Sequence, residues 1–194
     1  MRSTISTSIG AFILRTTCAD DAAAFRELRL EALWMHPEIF ATDHAESAAK
    51  PIEWWRDRAA AGSGEGNQVL CVAEAHDGEL LGMCGLFREH GPKLQHTGHL
   101  WGVYVRPAWR GLKIADALID ACENWARDHG MRVIRLAVVE GNHAAIRCYE
   151  RRGFSACGVA PEAIHHNGRY YDEVLMAKRI ASPILPQLVL GEAS

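Results

Sequence analysis

Apolar positions along this chain follow two rhythms, and their changes mark the elements. Residues 12–15 form a short apolar run that reads as a first strand. From about 20 to 35, Phe25, Leu28, Ala32 and Leu33 recur at the three- and four-residue spacing of one helical face, with Asp20 and Asp21 suited to its N-terminal end. Pro37 marks the end of that helix, and 35–49 read as irregular chain. Pro51 suits the first turn of a second helix over 52–61, which Gly62, Gly64 and Gly66 terminate. Adjacent helical positions point apart, so Trp55 is expected in the core with Ile52 while Trp54 faces outward.

The rhythm then changes to that of strands. Runs over 69–75 and 79–87 flank His76-Asp77-Gly78, a hairpin signal, and a third antiparallel partner is expected over 98–105. A helix follows over 112–129, with Ile114, Ala115, Leu118, Ile119, Cys122 and Trp125 as its buried stripe and Gly130 at its end. The nearly continuous apolar run 133–139 is expected to be a strand covered on both faces. A short helix over 143–152 is started by Asn142 and stopped by Gly153. Strands over 154–159 and 170–178 are joined across His166-Asn167-Gly168, and 181–194, with Pro183 and Pro186, read as a tail. This order predicts a single-domain α/β fold over 12–180, with a mixed sheet flanked by helices.

Composition narrows the function classes. With 194 residues, 48% of them hydrophobic and 23% charged, and a formal charge of −3, the chain resembles a soluble globular domain without a nucleic-acid surface. Its six cysteines stand singly in apolar surroundings, which predicts buried, reduced thiols. The first ten residues do not resemble a secretory signal, and no apolar run reaches membrane-spanning length, so a cytoplasmic protein that binds no membrane is expected. GxGxxG and GxxxxGK[ST] are both absent, which removes the usual dinucleotide and nucleoside-triphosphate readings.

The strongest chemical signal lies over 103–115. Val103-Tyr104-Val105 ends a strand, Pro107 turns the chain, and Arg110-Gly111 opens directly into the amphipathic helix. Such a loop offers unpaired backbone N–H groups at a helix N-terminus, where an anion such as a phosphate is favoured.

Here the chain resembles the GNAT superfamily of N-acetyltransferases. The family's R/Q-x-x-G-x-G/A signature reads Arg110-Gly111-Leu112-Lys113-Ile114-Ala115, and its N-x-x-A-x-x-x-Y-x-x-x-G-F pattern is matched from Asn142 through Ala145 and Tyr149 to Gly153-Phe154. The ending Tyr171-Asp172-Glu173-Val174-Leu175-Met176-Ala177-Lys178 also fits the last strand of many members. The resemblance implies the GNAT fold, with a mostly antiparallel sheet, and acetyl-CoA as co-substrate. Its pyrophosphate would sit on the N–H groups around 110–115, and its pantetheine arm on backbone groups of Val103, Tyr104 and Val105. Asn142 and Ala145 would face the same arm, and Tyr149 would protonate the departing thiolate. Lys113 departs from the pattern, standing where the family has its central glycine.

The resemblance further implies an N-acetyltransferase that moves acetyl to an amine by direct attack; a small-molecule amine is favoured over a protein N-terminus or lysine because the chain lacks an evident charged docking surface. The alternative is a non-catalytic acyl-CoA-binding sensor or partner module on the same fold. For the base that takes the amine proton, His96 and His99 are the nearest candidates, His99 foremost, with Glu140 weaker; each reads equally well as a plain polar residue. Trp54, Tyr170 and Tyr171 are candidate acceptor-pocket aromatics. The ten histidines form no cluster with metal-ligand spacing, so no metal is expected. A homodimer is left open, as no segment marks an interface.

Overall fold

The computed structural model describes residues 2–7 and 10–180; the tail expected over 181–194 lies outside the described residues. A first strand, β1 (Arg2–Thr7), pairs antiparallel with β2 (Gly10–Thr16). A short 3-10 turn at Ala19–Asp21 leads into α1 (Ala22–Met35), then α2 (His44–Ala48) and α3 (Ile52–Ala61). The hairpin β3 (Gln68–Glu74) and β4 (Leu80–Arg88) precedes β5 (Thr97–Val105). A second 3-10 turn, Pro107–Trp109, connects β5 to α4 (Ile114–Asp128). The remaining described elements are β6 (Val133–Val139), α5 (His143–Arg151), β7 (Ser155–His166) and β8 (Arg169–Arg179).

The eight strands form one sheet in the order β1-β2-β3-β4-β5-β6-β8-β7. Only the β5–β6 neighbours run parallel, so the sheet is mixed and mostly antiparallel, as the sequence predicts. The chain crosses from β5 to β6 through α4, the connection a parallel pair requires.

Two apolar layers hold the helices to the sheet. On one face α4 buries Ile114, Leu118, Ile119 and Cys122 against Cys71, Leu86, Leu100 and Ile134. Burying each such Leu or Ile fully contributes about 1.5–3 kcal/mol. On the other face Phe25, Leu28 and Ala32 of α1 and Trp55 of α3 pack on Leu70, Val72, Met83 and Tyr104. The ring of Phe25 meets that of Trp55 edge-on at 5.4 Å.

Several expectations need correction. Ile52, expected beside Trp55, is 40% exposed, because it lies in the first turn of α3, off the buried face. β6 is not covered on both faces: Ile134, Leu136 and Val138 are buried, whereas Arg135 and Ala137 are exposed. α1 and α3 pack on the earlier strands and leave that face open. β7 extends to His166, beyond the expected end at 159, through a register shift between Ala160 and Ile164 that absorbs Pro161 and Glu162. Cys18 and Cys157 are exposed; only Cys71, Cys84 and Cys122 are buried thiols.

Candidate active site

The site begins with an irregularity in β5. Trp101 pairs with Gly85 and Tyr104 with Met83, so β5 carries one more residue than β4 across this interval. Gly102, at φ +65°, absorbs the extra residue as a bulge. A strict strand alternation would place Val103 with Trp101. The bulge instead sends Val103 to the α4 layer and Tyr104 to the α1 layer. Tyr104 donates its hydroxyl to Glu31 Oε1 at 2.8 Å, and burial together with this bond pushes its pKa up to about 12.

The second irregularity is a parting of strands. β5 and β6 pair only at Thr97–Val133, Gly98–Ile134 and His99–Arg135. From Leu100 onward β5 has no partner on that side, and Leu136–Val139 of β6 pairs only with β8. A wedge therefore opens between the two strands, exposing backbone groups that can pair with an extended ligand.

At the wide end of the wedge lies the 110–115 loop. Gly111 takes φ +81°, and Lys113 takes φ 59°, ψ 21°, the left-handed conformation that a glycine favours. Lys113 thus adopts a glycine-like backbone geometry and costs about 1–2 kcal/mol of steric strain in doing so. Among the described residues no acceptor meets the backbone N–H of Gly111, Leu112, Lys113, Ile114 or Ala115. Five donors at the positive end of a fifteen-residue helix make an anion seat. Arg110 fixes the loop's position: its Nε donates to Val105 O at 3.0 Å, and its Nη2 lies 3.2 Å from His36 Nε2 at the end of α1.

Across the wedge stands α5. Asn142 caps it, accepting from the Ala145 N–H at 3.2 Å. Two turns on, Tyr149 is 8% exposed, and burial pushes its phenol well above the ordinary tyrosine range. Its ring packs edge-on against Phe154 at 5.9 Å.

One cleft of about 940 Å³ joins these parts, lined by Val103, Tyr104, Val105, Arg110, Gly111, Lys113, Ile114, Ala115, Asn142, Ala145 and Tyr149. Of the expected cofactor residues only Leu112 is absent from this lining; it packs against the core. Lys113 and Arg151 are exposed in the cleft, while Arg152 is held by Asp120 and Asp116.

The acceptor residues are placed less uniformly. Tyr170 and Tyr171 line a neighbouring hollow of about 730 Å³ that shares Ile39 and Asn142 with the cleft. Glu140 lies in the same hollow. Trp54 lines neither; it packs on Trp55 at 4.9 Å and under Arg58 at 5.2 Å. His99 also lies outside the cleft. It stacks on Phe87 at 5.3 Å, and its Nε2 sits 2.7 Å from Glu89 Oε1. His96 is exposed, and its carbonyl accepts from Arg132 N–H at 2.7 Å.

Sequence reasoning missed the Gly102 bulge and the contribution of His36, Ile39 and Phe40, which it treated as irregular chain. It also passed over Arg29, whose place inside the Phe25–Leu33 apolar stripe was a readable signal. Among the described residues no group of three His, Cys, Asp or Glu side chains gathers to hold a metal, and no helix is long and apolar enough to cross a membrane.

The profile of the Acetyltransferase (GNAT) family matches residues 25–154, and the chain belongs to that family. It is 30% identical over 142 residues to a mycothiol acetyltransferase of Sanguibacter keddieii, covering 72% of this chain and 42% of that protein. It is 32% identical over 123 residues to an aminoglycoside N(6')-acetyltransferase type 1 of Stenotrophomonas maltophilia, covering 61% of this chain and 70% of that one. The chain therefore spans less than half of the mycothiol enzyme. The fold also matches a phosphinothricin acetyltransferase of Sinorhizobium meliloti solved in complex with acetyl-CoA. That match has a TM-score of 0.73 at 19% identity, over 87% of this chain and 88% of that one.

Proposed function

We propose that this protein transfers acetyl from acetyl-CoA to the amine of a small molecule by direct attack. The observation that carries the proposal is the shared cleft: Gly111, Lys113, Ile114 and Ala115, whose N–H groups meet no acceptor among the described residues, and the buried Tyr149 line one cavity along the open edge of β5. The relatives named for mycothiol and an aminoglycoside support a small acceptor.

Bound acetyl-CoA would supply an activated acetyl group. The N–H groups of 111–115 would hold its pyrophosphate, with Lys113 and Arg151 adding positive charge in the same cleft. Val103–Val105 would align the pantetheine arm through backbone bonds, and Asn142 and Ala145 would flank it. Tyr149 keeps its proton until negative charge gathers on the leaving sulfur, then donates to it. The new nitrogen–carbon bond forms as the carbon–sulfur bond breaks, the amine proton leaves to solvent, and Tyr149 regains its own proton from solvent before the next turnover.

A thiol-release assay on a panel of amines tests this. Turnover of at least one small amine, with tenfold or greater preference over peptide N-termini and lysines, is expected, a difference of about 1.4 kcal/mol. Binding of acetyl-CoA without turnover of any amine would leave an acyl-CoA-binding module instead.

A further inference from the structure

The guanidinium of Arg29 is buried without a counter-ion. The residue is 8% exposed, and its Nη1 has no hydrogen-bond partner among the described residues. Its Nη2 makes one long contact, to Thr42 Oγ1 at 3.4 Å. The group lies over the Phe40 ring at 4.7 Å and the Trp101 ring at 6.0 Å. Among the described residues no carboxylate pairs with it. The charged group acting on it is another cation, Arg58, itself stacked on Trp101 at 4.9 Å. Burial, with Arg58 in support, lowers the Arg29 pKa to about 10, so the group stays charged at neutral pH.

Such a charge is costly to the fold. Burying an ion without a partner is strongly unfavourable, and an apolar side chain would serve the α1 stripe better. Arg29 packs on the sheet face opposite Tyr149, beside the β5 bulge, where a Cβ on Gly102 would come 3.6 Å from Nη1. Gly102 therefore leaves no side chain between the guanidinium and the strand edge at the wedge. Phe40, which covers Arg29, lines both the cleft and an adjoining hollow of about 520 Å³ that also contains Thr42.

We propose that Arg29 recognises an anionic group on the acceptor, and that the acceptor is an amine that also bears a carboxylate or a similar oxyanion. This rests on the acetyltransferase reading above. The anion approaches from the Gly102 side and makes the hydrogen bonds that Nη1 lacks. Phe40 and Trp101 exclude water around the pair, and Arg58 adds to the positive potential.

The test compares α-amino acids with their carboxamides in the thiol-release assay, for the parent and for Arg29→Met. The parent should turn over a carboxylated amine at least about tenfold faster than its carboxamide, since a charge-assisted hydrogen bond is stronger than a neutral one. Arg29→Met should lose at least about 30-fold in kcat/KM for the carboxylated amine, chiefly in KM, by the penalty for removing one buried partner. The same variant should keep its rate on the carboxamide and its affinity for acetyl-CoA, and should melt no lower than the parent, because methionine fills the stripe without a charge. Arg29→Lys should recover part of the loss. Equal rates for acid and carboxamide in the parent, or equal losses for both in Arg29→Met, would overturn the inference. A melting temperature lowered in Arg29→Met would assign the residue to the fold instead. Failure of every amine while acetyl-CoA binds would defeat the acetyltransferase reading itself and this inference with it.

Discussion

His99 and Arg135 are the last residues at which β5 and β6 pair. Beyond them the strands part, and the opening lies between the α4 N-terminus and the Tyr149 helix, whose residues line one cleft. Three independent local features thus meet in one place. A bulge at Gly102 aims the β5 side chains, a left-handed Lys113 opens the loop, and Asn142 sets the start of α5.

In the proposed mechanism Tyr149 is the acid that protonates the leaving sulfur. Replacing it with phenylalanine should lower kcat by about 100-fold or more, the usual contribution of a positioned proton donor. Acetyl-CoA affinity should barely change, because no described residue hydrogen-bonds the lost hydroxyl and the ring keeps its contact with Phe154. Steady-state kinetics with parallel calorimetry check this. Unchanged turnover removes Tyr149 from the mechanism.

The pH profile follows from the direction of the Tyr149 shift. Burial raises its pKa above the ordinary value of about 10, so the protonated form persists at every pH below that. The rate should rise as the acceptor amine loses its proton, and it should not fall again below about pH 10 on account of the acid. An alkaline limb near pH 8 that Tyr149→Phe abolishes would contradict the assignment.

Tyr104 gives a stability prediction with the same sign. Its folded pKa, pushed up to about 12 by burial and Glu31, lies above the unfolded value of about 10. The contribution of this group is therefore intact below about pH 10 and is lost as pH rises towards about 12. Denaturant unfolding at pH 9 and 11 should show a drop that Tyr104→Phe makes smaller. An equal drop in both proteins would contradict it.

Lys113 holds the left-handed conformation at a steric cost. Lys113→Gly should raise stability by about 0.5–1 kcal/mol, the relief of strain less the added freedom of the unfolded chain. Its affinity for acetyl-CoA should fall at low salt and approach the parent's at high salt, as an exposed charge is screened. Urea unfolding and calorimetry measure the two effects separately.

Thiol labelling separates exposed from buried cysteines. Cys18 and Cys157 should react with a thiol reagent in the native protein. Cys122, pushed up by burial, and Cys71, pushed up by its hydrogen bond with Cys122 and by burial, should react only on unfolding. Mass spectrometry after brief labelling reads this directly.

Much of this architecture was legible in the sequence because local and tertiary signals agree. The α4 stripe from Ile114 to Cys122 is amphipathic and buried as read, and the Asp-Gly hairpin forms between β3 and β4. The motif residues also gather in one cleft, because the strand, loop and helix that carry them are contiguous or cross over once. What escaped the reading depends on tertiary context. β1 carries one apolar residue, Ile5, among polar ones, and the pattern gives an edge strand no voice. The exposed face of β6 reflects where α1 and α3 happen to end. Gly102 could be recognised as a bulge only once β4 was known to oppose it, and the segment 36–43 has no periodicity to mark it as a cleft wall.

The central claim is that the free N–H groups of 111–115 and the wedge beside them form an acetyl-CoA site. Calorimetric titration of the protein with acetyl-CoA tests it most directly. The account predicts saturable binding at one site, with Kd between about 1 µM and about 1 mM, the usual working range for such substrates. No heat at about 1 mM acetyl-CoA, an affinity weaker than about −4 kcal/mol, would contradict it.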